Sequence, residues 1–143
     1  MMGLTIGAAA DATGVKVTTI RFYETRGMMP EPDRTASGRR VYAPSQVARL
    51  KFIKHARALG FDLDDIAALL DLSDDPTQDC GAADSMARNQ IAVIEHRMAL
   101  LQNLHDELTR MVRTCHGGKI ADCRVIESLA DHRHCAHPRH DMA

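Results

Sequence analysis

The chain of 143 residues contains no run of 18 or more apolar residues, so no membrane-spanning helix is expected. Its first residues lack the charged segment and apolar stretch of a secretory signal, which points to a cytoplasmic protein. No CxxC stands near a βαβ pattern, which argues against a thiol oxidoreductase, and the closely spaced cysteine quartet that holds an iron–sulfur cluster is missing. Two unrelated full-size domains do not fit in this length. In a reducing compartment the four cysteines then read as metal or redox ligands, not as disulfide partners.

The net charge of −1 conceals two opposed halves. Residues 1–60 carry +6, from ten Lys/Arg against four Asp/Glu, and the remainder carries −7. A basic module joined to an acidic remainder suits a nucleic-acid binder whose other half has a different task. Two solvated faces of unlike sign are the plainer alternative.

The pattern along the chain predicts an all-α fold with a small β-wing. Thr5 is placed to cap a short helix of small residues that ends at Gly14. A second helix follows over about 17–26, closed by Gly27 with Pro30 beyond. Two short helices joined by a glycine-containing turn form a helix-turn-helix, and Ala8, Ala9 and Ala10 would let them pack closely. Residues 31–43 read as a wing with Gly38 in its turn and Val41 and Tyr42 as strand formers. Pro44 opens a further helix that ends at Gly60, and Asp62 caps the next, which Ser73-Asp74-Asp75-Pro76 breaks. Residues 1–75 are therefore expected to form a winged helix-turn-helix domain.

Residues 76–114 are expected to form a long dimerisation helix, starting near Asp79, with neither proline nor, after Gly81, glycine. Alternate steps of four and three from Ala87 pass through Ile91, Ile94, Met98, Leu101, His105, Leu108 and Val112, apolar throughout except for His105. That is a coiled-coil seam. The same phase reaches Cys80 at one end and Cys115 at the other. One continuous helix would hold those two thiols roughly 50 Å apart, too far to share an ion within one chain. In an antiparallel homodimer, Cys80 of one subunit meets Cys115 of the other, with Met98 near the two-fold axis.

Cys115 and Cys123 flank a compact loop in which Gly117 and Gly118 let the backbone turn back, so residues 115–130 form a candidate metal-binding loop and short helix. Cys115, Cys123 and Cys80 of the second chain could hold an ion together, with His116 as the nearest fourth ligand. Three thiolates leave a divalent ion at −1 but Cu+ at −2, and uncompensated buried charge is costly. The set therefore favours Zn2+, Cd2+, Pb2+ or Hg2+, with Cu+ as the alternative. The plain reading of Cys80 and Cys115 is that of small core residues. The tail, 131–143, carries His132, His134, Cys135, His137 and His140 and reads as a disordered accessory metal-binding segment. His105 reads as a packed histidine, not a ligand.

The runs TIRFYETRGMMPEPDRTASGRRVY and VARLKFIKHARALGFDLDDIAALL closely resemble the MerR family of regulators, and the likeness extends from Leu4 to about Leu129. The resemblance implies a homodimer on a palindromic promoter with an over-long spacer. Metal binding would change the bend and twist of that DNA so that RNA polymerase can start from a metal-resistance or efflux promoter. It implies no enzyme activity. Carried over by motif, Thr18, Thr19, Arg21 and Tyr23 lie on the recognition helix, with Arg21 gripping phosphate. Arg34, Arg40 and Tyr42 would be wing and backbone contacts, with Lys54 in addition. Many relatives read Gly-Tyr-Arg where this chain has Gly38-Arg39-Arg40, so Arg39 would add a phosphate contact. The loop ending in Asp122-Cys123 looks like the copper-sensing branch, which regulates copper efflux, whereas Cys80 resembles the zinc, cadmium, lead and mercury sensors. Cys80 has the charge argument behind it and sets the expectation. A thiol redox-sensing regulator is a further alternative. A drug-binding member would need a large extra domain for which too few residues follow the long helix.

Overall fold

The computed structural model describes residues 3–114 and 117–131. It runs through helices α1 (Ile6–Thr13) and α2 (Val17–Thr25), strands β1 (Asp33–Arg34) and β2 (Arg40–Val41), and helices α3 (Pro44–Ala58), α4 (Leu63–Ser73), α5 (Gly81–Thr114) and α6 (Arg124–Ala130). A 3-10 turn over Ile120–Asp122 precedes α6. The mostly helical fold with one small antiparallel hairpin matches the class expected from the sequence. Residues 1–86 and 87–143 form two compact units. Cys115, His116 and the tail candidates His132, His134, Cys135, His137 and His140 lie outside the described residues.

In the first unit, local signals set the helix ends. The Thr5 hydroxyl accepts the Ala8 N–H at 3.1 Å, and Gly14 closes α1 with φ 72°. That left-handed conformation costs a residue with a Cβ about 1–2 kcal/mol. A Cβ at Gly14 would also lie 2.2 Å from Lys54 Nζ, which donates to the Gly14 carbonyl at 3.4 Å. Ala9 is fully buried, and its small side chain lets α1 pack against both α2 and α3. At the start of α3, the Gln46 side chain accepts the Ala43 N–H at 2.7 Å ahead of Pro44. At α4, Asp62 accepts the Asp65 N–H at 2.8 Å.

The hairpin pairs Asp33 with Val41 and Arg34 with Arg40. Gly38, φ 86°, supplies the left-handed residue its turn needs, while Thr35 N–H bonds to the Arg39 carbonyl at 2.8 Å. Leu4 adds a bridge to Tyr42 through reciprocal bonds of 2.9 and 2.8 Å, so the N-terminal residues pin the wing to the domain. Inward positions one helical turn apart, Leu50, Ile53 and Ala56 on α3 and Ile66 and Leu70 on α4, meet Ile20 of α2 and Tyr42 of the wing in one core. Met86, in the second turn of α5, packs at the edge of that core.

Helix α5 begins at Gly81, two residues later than the sequence pattern suggests. Residues Asp75 to Gln78 form a hydrogen-bonded turn, so Cys80 stands just before the helix and its carbonyl accepts the Asp84 N–H at 2.9 Å. Among the described residues no helix is long and apolar enough to cross a membrane.

In the second unit, Glu107 and Met111 of α5 and Ser128 of α6 are buried. The apolar seam is not. Ile91, Ile94, Met98, Leu101, Leu108 and Val112 are 42–65 % exposed in the single chain. A contiguous apolar stripe of that length, left in water, is the mark of an interface.

Candidate nucleic-acid interface and thiol sites

Helix α2 turns Ile20 and Tyr23 into the core, which leaves Thr18, Arg21, Phe22 and Thr25 facing solvent with Thr19 half-buried. Beside it, a cleft of about 730 Å³ between α2 and the wing is lined by Arg21, Arg34 and Arg40 together with Glu24 and Thr25. Three guanidiniums on one cleft can attract phosphate oxygens, and Arg is the side chain whose planar fork suits them. Arg34 is held in place by donating to the Gly38 carbonyl at 2.8 Å, which stiffens the wing turn. Arg39 is exposed at the wing, next to that turn. Lys54, on α3, is exposed and ties the helix-turn-helix turn through Gly14.

Two of the expected contacts require correction. Tyr42 is completely buried, and its hydroxyl donates to the Glu24 carboxylate, so it cannot reach a ligand from the wing. Tyr23 is 7 % exposed and belongs to the core. Their chemistry is that of a latch. Glu24 of α2 receives the Tyr42 hydroxyl on one oxygen and lies 3.3 Å from Arg40 Nε on the other, which locks the wing to α2. The structure adds Phe22, 44 % exposed, with the Arg26 guanidinium 5.7 Å from its ring centre and Asp64 of α4 beyond. The helical period could have found Phe22, because inward residues at 20 and 23 force position 22 outward.

Burial first, and then the hydrogen bond and charge of Glu24, hold the Tyr42 hydroxyl protonated well above its usual value of 10. The folded chain therefore keeps a proton that the unfolded chain releases. This contribution to stability is fully present below about pH 10 and is lost as the pH rises beyond it. Tyr42→Phe is expected to lower the unfolding free energy at neutral pH by about 1–3 kcal/mol, since Glu24 loses a donor in a partly desolvated site. It should also remove that share of the alkaline decline, which urea titrations of both proteins between pH 7 and 11 would show. Equal stability at pH 7 would mean that the latch contributes nothing.

Cys80 is exposed at the start of α5, and Cys123 is half-buried immediately before α6. Gly117 and Gly118 both take positive φ, 77° and 98°, the left-handed backbone that glycine adopts without a Cβ penalty. Among the described residues no three His, Cys, Asp or Glu side chains converge on one point. His105 is exposed and lies 3.5 Å from Asp106, so it is not a packed histidine in the single chain.

Two family models match the chain. Residues 4–73 match the MerR HTH family regulatory protein model, and residues 47–111 match the MerR, DNA binding model. The mercuric resistance operon regulatory protein of Shigella flexneri is 43 % identical over 127 residues, spanning 88 % of this chain and 87 % of its own. The HTH-type transcriptional regulator CueR of Salmonella typhi is 31 % identical, spanning 94 % and 95 %. Among solved structures, PbrR691 of Ralstonia metallidurans CH34, crystallised with lead(II), superposes with a TM-score of 0.75 at 34 % identity, covering 88 % of this chain and 98 % of that one. The winged helix-turn-helix, the long helix and these full-length similarities lead to one assignment: the chain belongs to the MerR family of DNA-binding transcription regulators, and not to an enzyme family.

Proposed function

We propose that the protein is a homodimeric, cytoplasmic, metal-responsive regulator that activates a metal-resistance or efflux promoter by distorting its DNA. The observation that carries this reading is the position of Cys80. It is an exposed cysteine directly before a 34-residue helix whose apolar seam is uncovered in the single chain. Residues 1–75 would read a palindromic promoter through the exposed face of α2 and the arginine cleft, with RNA polymerase recruited to the same DNA. Residues 76–114 would pair two chains along that seam, antiparallel so that the start of one helix meets the end of the other. Cys80 of one chain and Cys115 and Cys123 of the other would then supply the ligands, with His116 as the fourth candidate and the tail histidines as accessories.

Thiolates are soft, polarizable donors, so this set fits a thiophilic ion. When bound, such an ion would cross-link the two chains at both ends of the seam. Three thiolates leave any of Zn2+, Cd2+, Pb2+ or Hg2+ at −1, and among the four we place Hg2+ first because the relative at 43 % identity is named for mercuric resistance. The glycine loop supports a second reading, Cu+ sensing, in which Cys115 and Cys123 alone would suffice.

Run-off transcription from the cognate promoter against Hg2+, Pb2+, Cd2+, Zn2+ and Cu+ separates the two. Activation by Hg2+ at the lowest concentration is expected, and Cys80→Ser should raise the half-activating Hg2+ concentration by about 10-fold or more while changing any Cu+ response less. The opposite ranking would move the protein to the copper reading. No response to any of the five ions would end the metal-sensing proposal.

A further inference from the structure

Arg49, on the outer side of α3, connects two segments distant in sequence. Its Nε donates to the Met28 carbonyl at 2.6 Å, in the turn that leaves α2, where Met28 and Met29 both bond back to the Tyr23 carbonyl. Its Nη1 donates to both carboxylate oxygens of Asp74, at 2.9 and 3.1 Å, at the C-terminal cap of α4. About a fifth of the Arg49 side chain is exposed against 59 % of Asp74, so solvent screens the Met28 bond less than the ion pair.

Asp74 starts the strap that carries Cys80. The strap has internal order of its own. Asp75 accepts the Thr77 hydroxyl at 2.6 Å and the Thr77 N–H at 3.2 Å, the Gln78 N–H bonds to the Asp75 carbonyl at 3.1 Å, and Cys80 then accepts the first α5 bond from Asp84. Beyond it, Met86 is seated against the core. The segment from 74 to 80 is thus anchored at both ends and folded between them.

We propose that Arg49 is a positioning residue that joins this Cys80-bearing strap to the chain leaving the recognition helix, so that a displacement at Cys80 reaches α2 directly. The inference rests on the metal-sensing reading above for the signal it carries, but the clamp itself is a property of the metal-free protein. Residues 28 and 74 have no bond to each other, and the two arms of one guanidinium hold both. A side chain that served stability alone would soften the whole domain evenly. A coupling side chain would loosen these two segments together and weaken the transmitted change.

The test uses the full-length protein with Asp74→Asn, which removes the ion pair and spares the Met28 bond, and Asp74→Glu, which restores a carboxylate. Hydrogen exchange without metal should speed up at least about tenfold in Asp74→Asn at both Met28–Met29 and residues 75–80, while α1 stays protected. On promoter DNA bearing 2-aminopurine at the spacer centre, metal-free affinity should stay within about threefold, and the Hg2+-induced fluorescence change should fall at least about fivefold. Asp74→Glu should recover both. Unchanged exchange at Met28–Met29, or an undiminished fluorescence change, would overturn the proposal. A wild-type protein without any signal from Hg2+, Pb2+, Cd2+, Zn2+ or Cu+ would sink the metal-sensing reading instead, and the exchange result would still decide whether the clamp exists.

Discussion

Cys123→Ser and Cys115→Ser are each expected to abolish metal-dependent activation while leaving metal-free promoter affinity within about threefold of wild type, the scatter ordinary for a change remote from an interface. A serine hydroxyl is a hard, neutral donor in place of a soft anionic one, so the affinity for a thiophilic ion should fall by about 100-fold or more. Cys123 is half-buried before α6, and Gly117 and Gly118 earlier in the loop take the left-handed conformation. Serine fits the same space, so the loop should keep its course. The candidate DNA-facing groups, Arg21, Arg34 and Arg40, belong to the other compact unit and keep their own supports, Gly38 for Arg34 and Glu24 for Arg40. Run-off transcription with Hg2+ and a gel-shift titration without it provide the two measurements. Full activation by either variant would remove the loop from the sensor.

What the sequence made legible was whatever is written within a few residues. Thr5 and Asp62 each cap a helix whose third following N–H they accept, and Gly14, Gly38 and Gly60 each stand where the backbone needs positive φ. Such signals are local, so reading them needs no knowledge of the tertiary fold. The seam was equally plain, because a period of alternating four and three residues is a property of the string itself.

What was not legible depends on partners far apart in the chain. Tyr42 meets Glu24 across 18 positions, and Arg49 meets Met28 and Asp74 across 21 and 25. Nothing near Tyr42 announces that its hydroxyl turns inward, and the family resemblance alone made it a wing contact. On α5, the seam period selects one stripe and passes over Glu107 and Met111, which the fold buries. A buried glutamate paired with Arg110 at 2.5 Å has no apolar signature to find. The cysteine spacing identified a candidate donor set, yet its assembly depends on a second chain.

That second chain has its own test. Leu101→Asp is expected to convert the protein to a monomer at micromolar concentration and to weaken promoter binding by about 100-fold or more, the avidity that linking two half-site readers provides. Leu101 is 55 % exposed in the single chain, so aspartate there disturbs no core of the monomer, and the helix content should persist. Across a two-fold axis, however, the substitution appears on both helices. Each loses about 1.5–3 kcal/mol of leucine burial and must desolvate a carboxylate in an apolar seam. His105, one turn on, is the nearest polar seam residue and is already beside Asp106. The milder Leu101→Ala keeps the seam apolar and should weaken dimerisation without abolishing it. The expected order is therefore wild type, alanine, aspartate in both sedimentation and promoter affinity. A dimeric Leu101→Asp with unchanged promoter affinity would show that the exposed stripe on α5 faces something other than its own copy, and the shared thiol site would lose its geometric basis.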